Sequence, residues 1–124
     1  MKHFVVDTHV LFWYLTDDPQ LSSSIFDIFA EVDRGKAKLI FPAIVLVEFL
    51  RLLEKKEKAD FFDFCLTWME SRAEVLLFPL GVEVVRELRS VPKRFSLHDR
   101  IIIASTLILK ATLLTQDREI IKSR

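Results

Sequence analysis

Short runs of β-branched and aromatic residues alternate along the chain with longer amphipathic stretches, the rhythm of strands and helices in turn. Lys2 to Val6 predicts a first strand that ends at Asp7-Thr8. Val10 to Leu15 is apolar at every position, which predicts a helix buried on more than one side, and Asp17-Asp18-Pro19 breaks it. Ser22, Ser23 and Ser24 offer N-caps for a helix through Ile25, Phe26, Ile28, Phe29 and Val32. Gly35 stands where a C-terminal glycine belongs. Lys38 to Phe41 predicts a second strand, and Pro42 suits the first turn of a helix running through Val45, Phe49 and Leu53. A helix over about Ala59 to Ser71 follows, then a third strand from Glu74 to Phe78, stopped by Pro79. Gly81 to Leu88 reads as amphipathic helix and Ser90 to Phe95 as a loop. Ser96 then caps a buried helix to about Leu109, with Asp99 placed as the acid of a capping box. Ala111 to Thr115 predicts a fourth strand, closed by Gln116-Asp117, and a helical turn runs from Arg118 to the end.

Strands alternating with helices predict an α/β fold, a small parallel sheet of about four strands flanked by helices, within a single domain over 1–124. The 124 residues are 51% hydrophobic and include 11 phenylalanines, enough for one aromatic core. Eighteen basic and 18 acidic side chains cancel, so any nucleic-acid binding must come from a local patch and not from bulk charge. Cys65, the one cysteine, excludes an internal disulfide and sits among Phe61, Phe62, Phe64 and Leu66 as a buried, inert thiol. No apolar run reaches the ~18 residues of a membrane span and no signal peptide opens the chain, so the expected location is cytoplasmic. With two glycines and neither a GxGxxG nor a Walker pattern, a phosphate-cradling loop is not expected.

The chemistry lies in four acids. Asp7 ends strand one, Asp117 follows strand four, Asp99 opens the helix before it, and Glu48 interrupts the apolar helix after strand two. Singly, Asp7, Asp99 and Asp117 are ordinary helix-capping residues. Glu48 has Arg51 within a turn as a partner, but an acid in so apolar a segment faces something polar. In a parallel sheet all four meet at one rim, where open α/β sheets place their sites. Four carboxylates without a matching set of lysines or arginines repel one another unless protons or a cation neutralise them. Oxygen donors of this kind suit Mg²⁺ or Mn²⁺, and helix N-termini at Asp7, Asp99 and Asp117 favour their ionised forms. Such carboxylate-held ions are standard equipment for phosphodiester hydrolysis.

At these positions the chain resembles the PIN domain family, and within it the toxin ribonucleases called VapC. The resemblance rests on Asp7-Thr8-His9-Val10-Leu11, on Pro42 through Glu48, on His98-Asp99-Arg100-Ile101-Ile102-Ile103-Ala104, and on Leu114-Thr115-Gln116-Asp117-Arg118. These segments recur in the family's order over nearly the whole chain. The resemblance implies a three-layer PIN-like fold and a Mg²⁺- or Mn²⁺-dependent endoribonuclease. It further implies the toxin of a type II toxin–antitoxin pair, often a homodimer, held inactive by a small antitoxin encoded nearby. It maps the family's acids onto Asp7, Glu48, Asp99 and Asp117, as metal ligands and catalytic groups, with Thr115 as a supporting hydroxyl on the substrate side. A fifth strand common in the family has no counterpart after Asp117.

Arg51, Lys93, Arg94, Arg100 and Arg118 fall near the proposed rim as candidate phosphate contacts; Arg100 also has Asp99 beside it as a partner. His3, His9 and His98 lack metal-ligand spacing, although His98 adjoins Asp99. Phe12-Trp13-Tyr14 reads as core ahead of a base-stacking platform, and its helix as a candidate dimer surface. Phe61, Phe62, Phe64 and Trp68 read as core. Two other classes fit a small parallel α/β chain: a phosphoacceptor signalling domain and a PIN-like module that only binds. The first expects paired acids after strand one and an aspartate after strand three, where this chain has Asp7-Thr8-His9 and Pro79-Leu80. Intact acids argue against the second.

Overall fold

A computed structural model describes residues 1–122 of the protein. Strand β1 (Lys2–Val6) leads into α1 (Thr8–Leu15) and α2 (Ser23–Asp33). Strand β2 (Ala37–Pro42) precedes α3 (Ala43–Lys55) and α4 (Phe61–Glu70). Strand β3 (Val75–Phe78) is followed by α5 (Val82–Glu87), a single 3₁₀ turn and the long α6 (Leu97–Leu109). Strand β4 (Thr112–Leu114) and α7 (Arg118–Lys122) complete the described elements. The expected last helical turn is thus present through Lys122; its final two residues lie outside the described ones.

The four strands form one parallel sheet in the order β3-β2-β1-β4. Val5 stands between Ile40 of β2 and Leu113 of β4, which fixes the register at the centre of the sheet. The chain steps outward from β1 to β2 to β3 and then crosses back to lay β4 on the far side of β1. The order of the strands therefore reverses between β1 and β4, and at such a point the loops diverge and leave a crevice beyond the carboxyl ends of the strands. Asp7 and Asp117 flank that crevice. The backbone N–H of Asp7 donates to the Leu114 carbonyl at 3.1 Å, holding the two strand ends together.

Helices flank the sheet: α2 lies on β2, α4 on β3, and α6 on β1 and β4, while α1 packs against α3 and α5 against α6. Val5, Val6, Leu39, Phe41, Phe49 and Ile102 are buried at the heart of the core. The cap signals hold. Ser22 accepts from the Ile25 N–H and Ser96 from that of Asp99. Gly35 takes φ +73° just past α2, where the Gly35 and Lys36 N–H groups close on the carbonyls of Val32 and Glu31.

Two expectations need correction. Helix α1 is not buried on more than one side: only Thr8, Val10 and Leu11 are buried, and Phe12 to Leu15 are half-buried. Its apolar run serves several neighbours in place of one core. Tyr14 stacks on Phe29 with ring centroids 3.9 Å apart, and Phe12 meets Phe49 edge-on. In α4, Phe61, Phe62 and Trp68 are half-buried, but Phe64 is 68% exposed because it shares the outward face with Asp63 and Thr67. Cys65 is buried, as expected, and desolvation pushes its thiol up to about 11.

Candidate active site

Each acid reaches the rim for a local reason. Asp7 is the N-cap of α1, extended at φ −72° and ψ 155°, so its carboxylate turns back over the end of β1. Its Oδ1 accepts the Thr8 N–H at 2.7 Å and its Oδ2 accepts the Thr115 hydroxyl at 2.7 Å. Asp117 opens α7 and accepts the Glu119 N–H at 2.9 Å. Its own N–H donates to Thr115 Oγ1 at 3.0 Å, so one buried hydroxyl ties both strand-end acids. Asp99 lies in the first turn of α6 behind the Ser96 cap. Glu48 projects from the middle of α3. It is held by Thr8, whose hydroxyl donates to Oε1 at 2.8 Å, and by His98, whose Nδ1 lies 2.7 Å from Oε2.

The four carboxylates line one open cavity of about 360 Å³, together with Thr8, His9, Trp13 and Gln116. None of these lining residues is a lysine or arginine. Burial raises the pKa of Asp7, against hydrogen bonds from Thr115 and Thr8 and the nearby His9, with the charge of Asp117 adding to the rise. Burial also raises that of Asp99; Ser96 opposes the shift and the charges of Asp7, Asp117 and Glu48 add to it. At Asp7 and Asp99 desolvation is the largest cause and mutual repulsion adds to it, so the helix termini do not hold these two acids at their ordinary pKa.

Among the described residues, no three His, Cys, Asp or Glu side chains already stand close enough to share a metal ion. Both oxygens of Asp7 and of Glu48 are instead engaged by neighbouring donors. The donor chemistry nevertheless fits a hard divalent cation: four carboxylates, two of them reluctant to ionise, with no lysine or arginine in the lining.

The residues expected on the substrate side are not gathered with the acids. Thr115 is buried and spends its hydroxyl on Asp7 and Asp117, so it orients acids and does not face the cavity. Arg100 does not pair with Asp99 either. Its Nη2 donates to the Leu88 carbonyl at 2.8 Å, which turns the guanidinium toward the segment after α5. Arg118 is exposed at the start of α7, outside the cavity lining. Two contributors carry no role in the sequence reading, the Thr8 hydroxyl and Gln116; Trp13, weighed there as core ahead of a stacking platform, lines the cavity. Gln116 accepts from the Ser22 N–H at 2.8 Å and donates to the Gln20 carbonyl at 2.9 Å, fastening the α1–α2 loop to the rim. A polar residue between a buried strand and a capping acid was the available signal for Gln116.

Fold and cavity together define an α/β protein with a carboxylate site at the point where its strand order reverses. The PIN domain family model matches residues 4–123, and the chain belongs to that family. Its fold is similar to that of a chain in the crystal structure of VapBC2 from Rickettsia felis bound to a DNA fragment from their promoter. The TM-score is 0.76 at 16% identity, covering 98% of this chain and 92% of that one. No curated protein matches the chain.

Proposed function

We propose that the protein is a Mg²⁺- or Mn²⁺-dependent endoribonuclease, the toxin of a type II toxin–antitoxin pair, with 1–124 acting as one PIN domain. The observation that carries this reading is the cavity itself: four carboxylates from four separate segments, with no lysine or arginine in its lining. Asp7, Asp99 and Asp117 would hold the metal, and Glu48 would join them directly or through water. When bound, the ion supplies Lewis acidity toward a phosphodiester and toward the water that attacks it. The chain's own groups prepare the site. Thr115 fixes Asp7 relative to Asp117, and Thr8 and His98 hold Glu48 beside them. The water-exposed mouth admits the RNA backbone, whose charge the acids tolerate only with metal present.

Membership of the PIN family supports nuclease chemistry, and likeness to a chain from a VapBC2 complex supports a small antitoxin partner encoded nearby. Among the described residues no helix is long and apolar enough to cross a membrane, and the reading places the protein in the cytoplasm. Purified protein should cut single-stranded RNA when Mn²⁺ or Mg²⁺ is added and stop when EDTA removes it. RNA cleavage that continues at full rate in excess EDTA would sink the reading.

Exposed Phe26, Phe64, Val82 and Val85 leave apolar surface that supports a homodimer. Light scattering at high micromolar concentration should therefore give twice the monomer mass; a monomer mass would count against the dimer.

A further inference from the structure

The acidic cavity holds one feature that phosphodiester hydrolysis does not need. Two aromatic rings, His9 and Trp13, line it beside the four acids. They lie one turn apart on α1, with ring centroids 5.8 Å apart and planes tilted by 50°. His9 is exposed and Trp13 half-buried, and neither side chain makes a hydrogen bond among the described residues. Trp13 also lines an adjoining cleft of about 420 Å³, with Tyr14, Leu21 and Phe26 among its walls. The indole therefore stands between two open depressions and is not sealed into the core. Gln116, in the lining of the first, holds the Gln20–Ser22 loop, whose Leu21 is a wall of the second.

We infer that His9 and Trp13 form a base-stacking subsite that takes an unpaired nucleobase next to the scissile phosphate of RNA. The inference rests on the nuclease reading above and adds the recognition of substrate that the acids cannot supply. Carboxylates repel a phosphate backbone, and the metal that offsets this makes no distinction between single and double strands. No lysine or arginine lines the cavity to add grip. Aromatic faces do add it, because every base has a π-face, and they do so only for a base free to leave its helix. An unpaired base laid on these rings holds its neighbouring phosphate over the acids, while a base kept within a duplex cannot reach them.

The test uses a short unstructured RNA oligonucleotide of mixed sequence and the same oligonucleotide annealed to its complement. Binding is read by fluorescence anisotropy with Ca²⁺ in place of Mg²⁺, and cleavage separately with Mn²⁺. His9→Ala and Trp13→Ala should each weaken binding of the single strand roughly tenfold. In cleavage they should raise KM far more than they lower kcat. His9→Phe and Trp13→Phe, which keep a ring, should restore most of the loss. Binding of the duplex should not respond to any of the four. Wild-type affinity in His9→Ala, whose exposed side chain the fold does not need, overturns the inference whether or not Trp13→Ala folds. Equal losses for single strand and duplex also overturn it. The nuclease reading fails separately, as ring-dependent binding of RNA with no cleavage in Mn²⁺ or Mg²⁺. Cleavage with ring-independent binding removes the subsite and leaves that reading standing.

Discussion

Asp99→Asn should fold, melt no lower than the wild type in the absence of metal, and lose RNA cleavage by roughly 10²-fold or more. The substitution keeps the shape of the side chain and leaves the Ser96 hydroxyl free to accept the residue-99 N–H, so the helix start survives. What it removes is a charge that burial and three neighbouring acids already oppose. The pH response follows from the same shift. Asp7 and Asp99 hold their protons more tightly in the folded chain than at the ordinary 3.8. Between that value and their raised folded values the folded state binds more protons than the unfolded one, so their contribution to stability falls as pH rises. The metal-free wild type should therefore lose stability, relative to Asp99→Asn, as pH climbs from about 4 toward neutrality. Mn²⁺ should raise the wild-type melting temperature by several degrees and that of the variant by much less. Thermal melts across pH, with and without Mn²⁺, beside a cleavage assay, check all three. An Asp99→Asn protein that cuts RNA at the wild-type rate with the same metal dependence would falsify the site.

Thr115→Val should cost roughly 2–4 kcal/mol of stability and 10–100-fold in cleavage. The swap is close to isosteric, so the loss comes from polar groups left behind and not from a cavity. The buried Oδ2 of Asp7 loses its donor at 2.7 Å, and the Asp117 N–H loses its acceptor at 3.0 Å. Asp7 also loses one of the bonds that hold its pKa down, so it ionises still less readily. Thr115→Ser, which keeps the hydroxyl, should recover most of both effects. Urea midpoints and cleavage rates measure them. Were valine to match threonine in both, the hydroxyl would be a bystander.

The parts of the site legible in sequence were those set by position along an element. Asp7 and Asp117 could be placed because a strand ends where its apolar run ends. Asp99 could be placed because Ser96 marks the helix start three residues earlier. Glu48 stood out as a lone acid among Val45, Leu46, Val47, Phe49 and Leu50. Long-range side-chain direction left no such mark. Thr8 reaches Glu48 across 40 residues and Gln116 reaches Ser22 across 94, and no local period encodes either. The same holds for Arg100: adjacency offers Asp99 as a partner, but on a helix neighbouring side chains diverge, and the guanidinium turns to the Leu88 carbonyl. In α1 the unbroken apolar run concealed how its residues divide, because hydrophobicity alone does not separate a core contact from a half-exposed ring such as Trp13.

The hydroxyl of Thr115 and the carboxylate of Asp7 are 108 residues apart in the chain, yet share the rim because β4 lies directly on β1. That pairing sets an order of events during synthesis. A chain still emerging from the ribosome carries Asp7 and Glu48 well before α6 and β4 have been made. Until then β1 is paired only with β2 and its other edge is open, Asp7 lacks its donor from Thr115, and no four-acid cavity exists. The closing contact spans 108 residues, the kind of long-range pairing that forms late and slowly. A message broken upstream of the β4 codons therefore yields a chain unable to assemble the cavity at all.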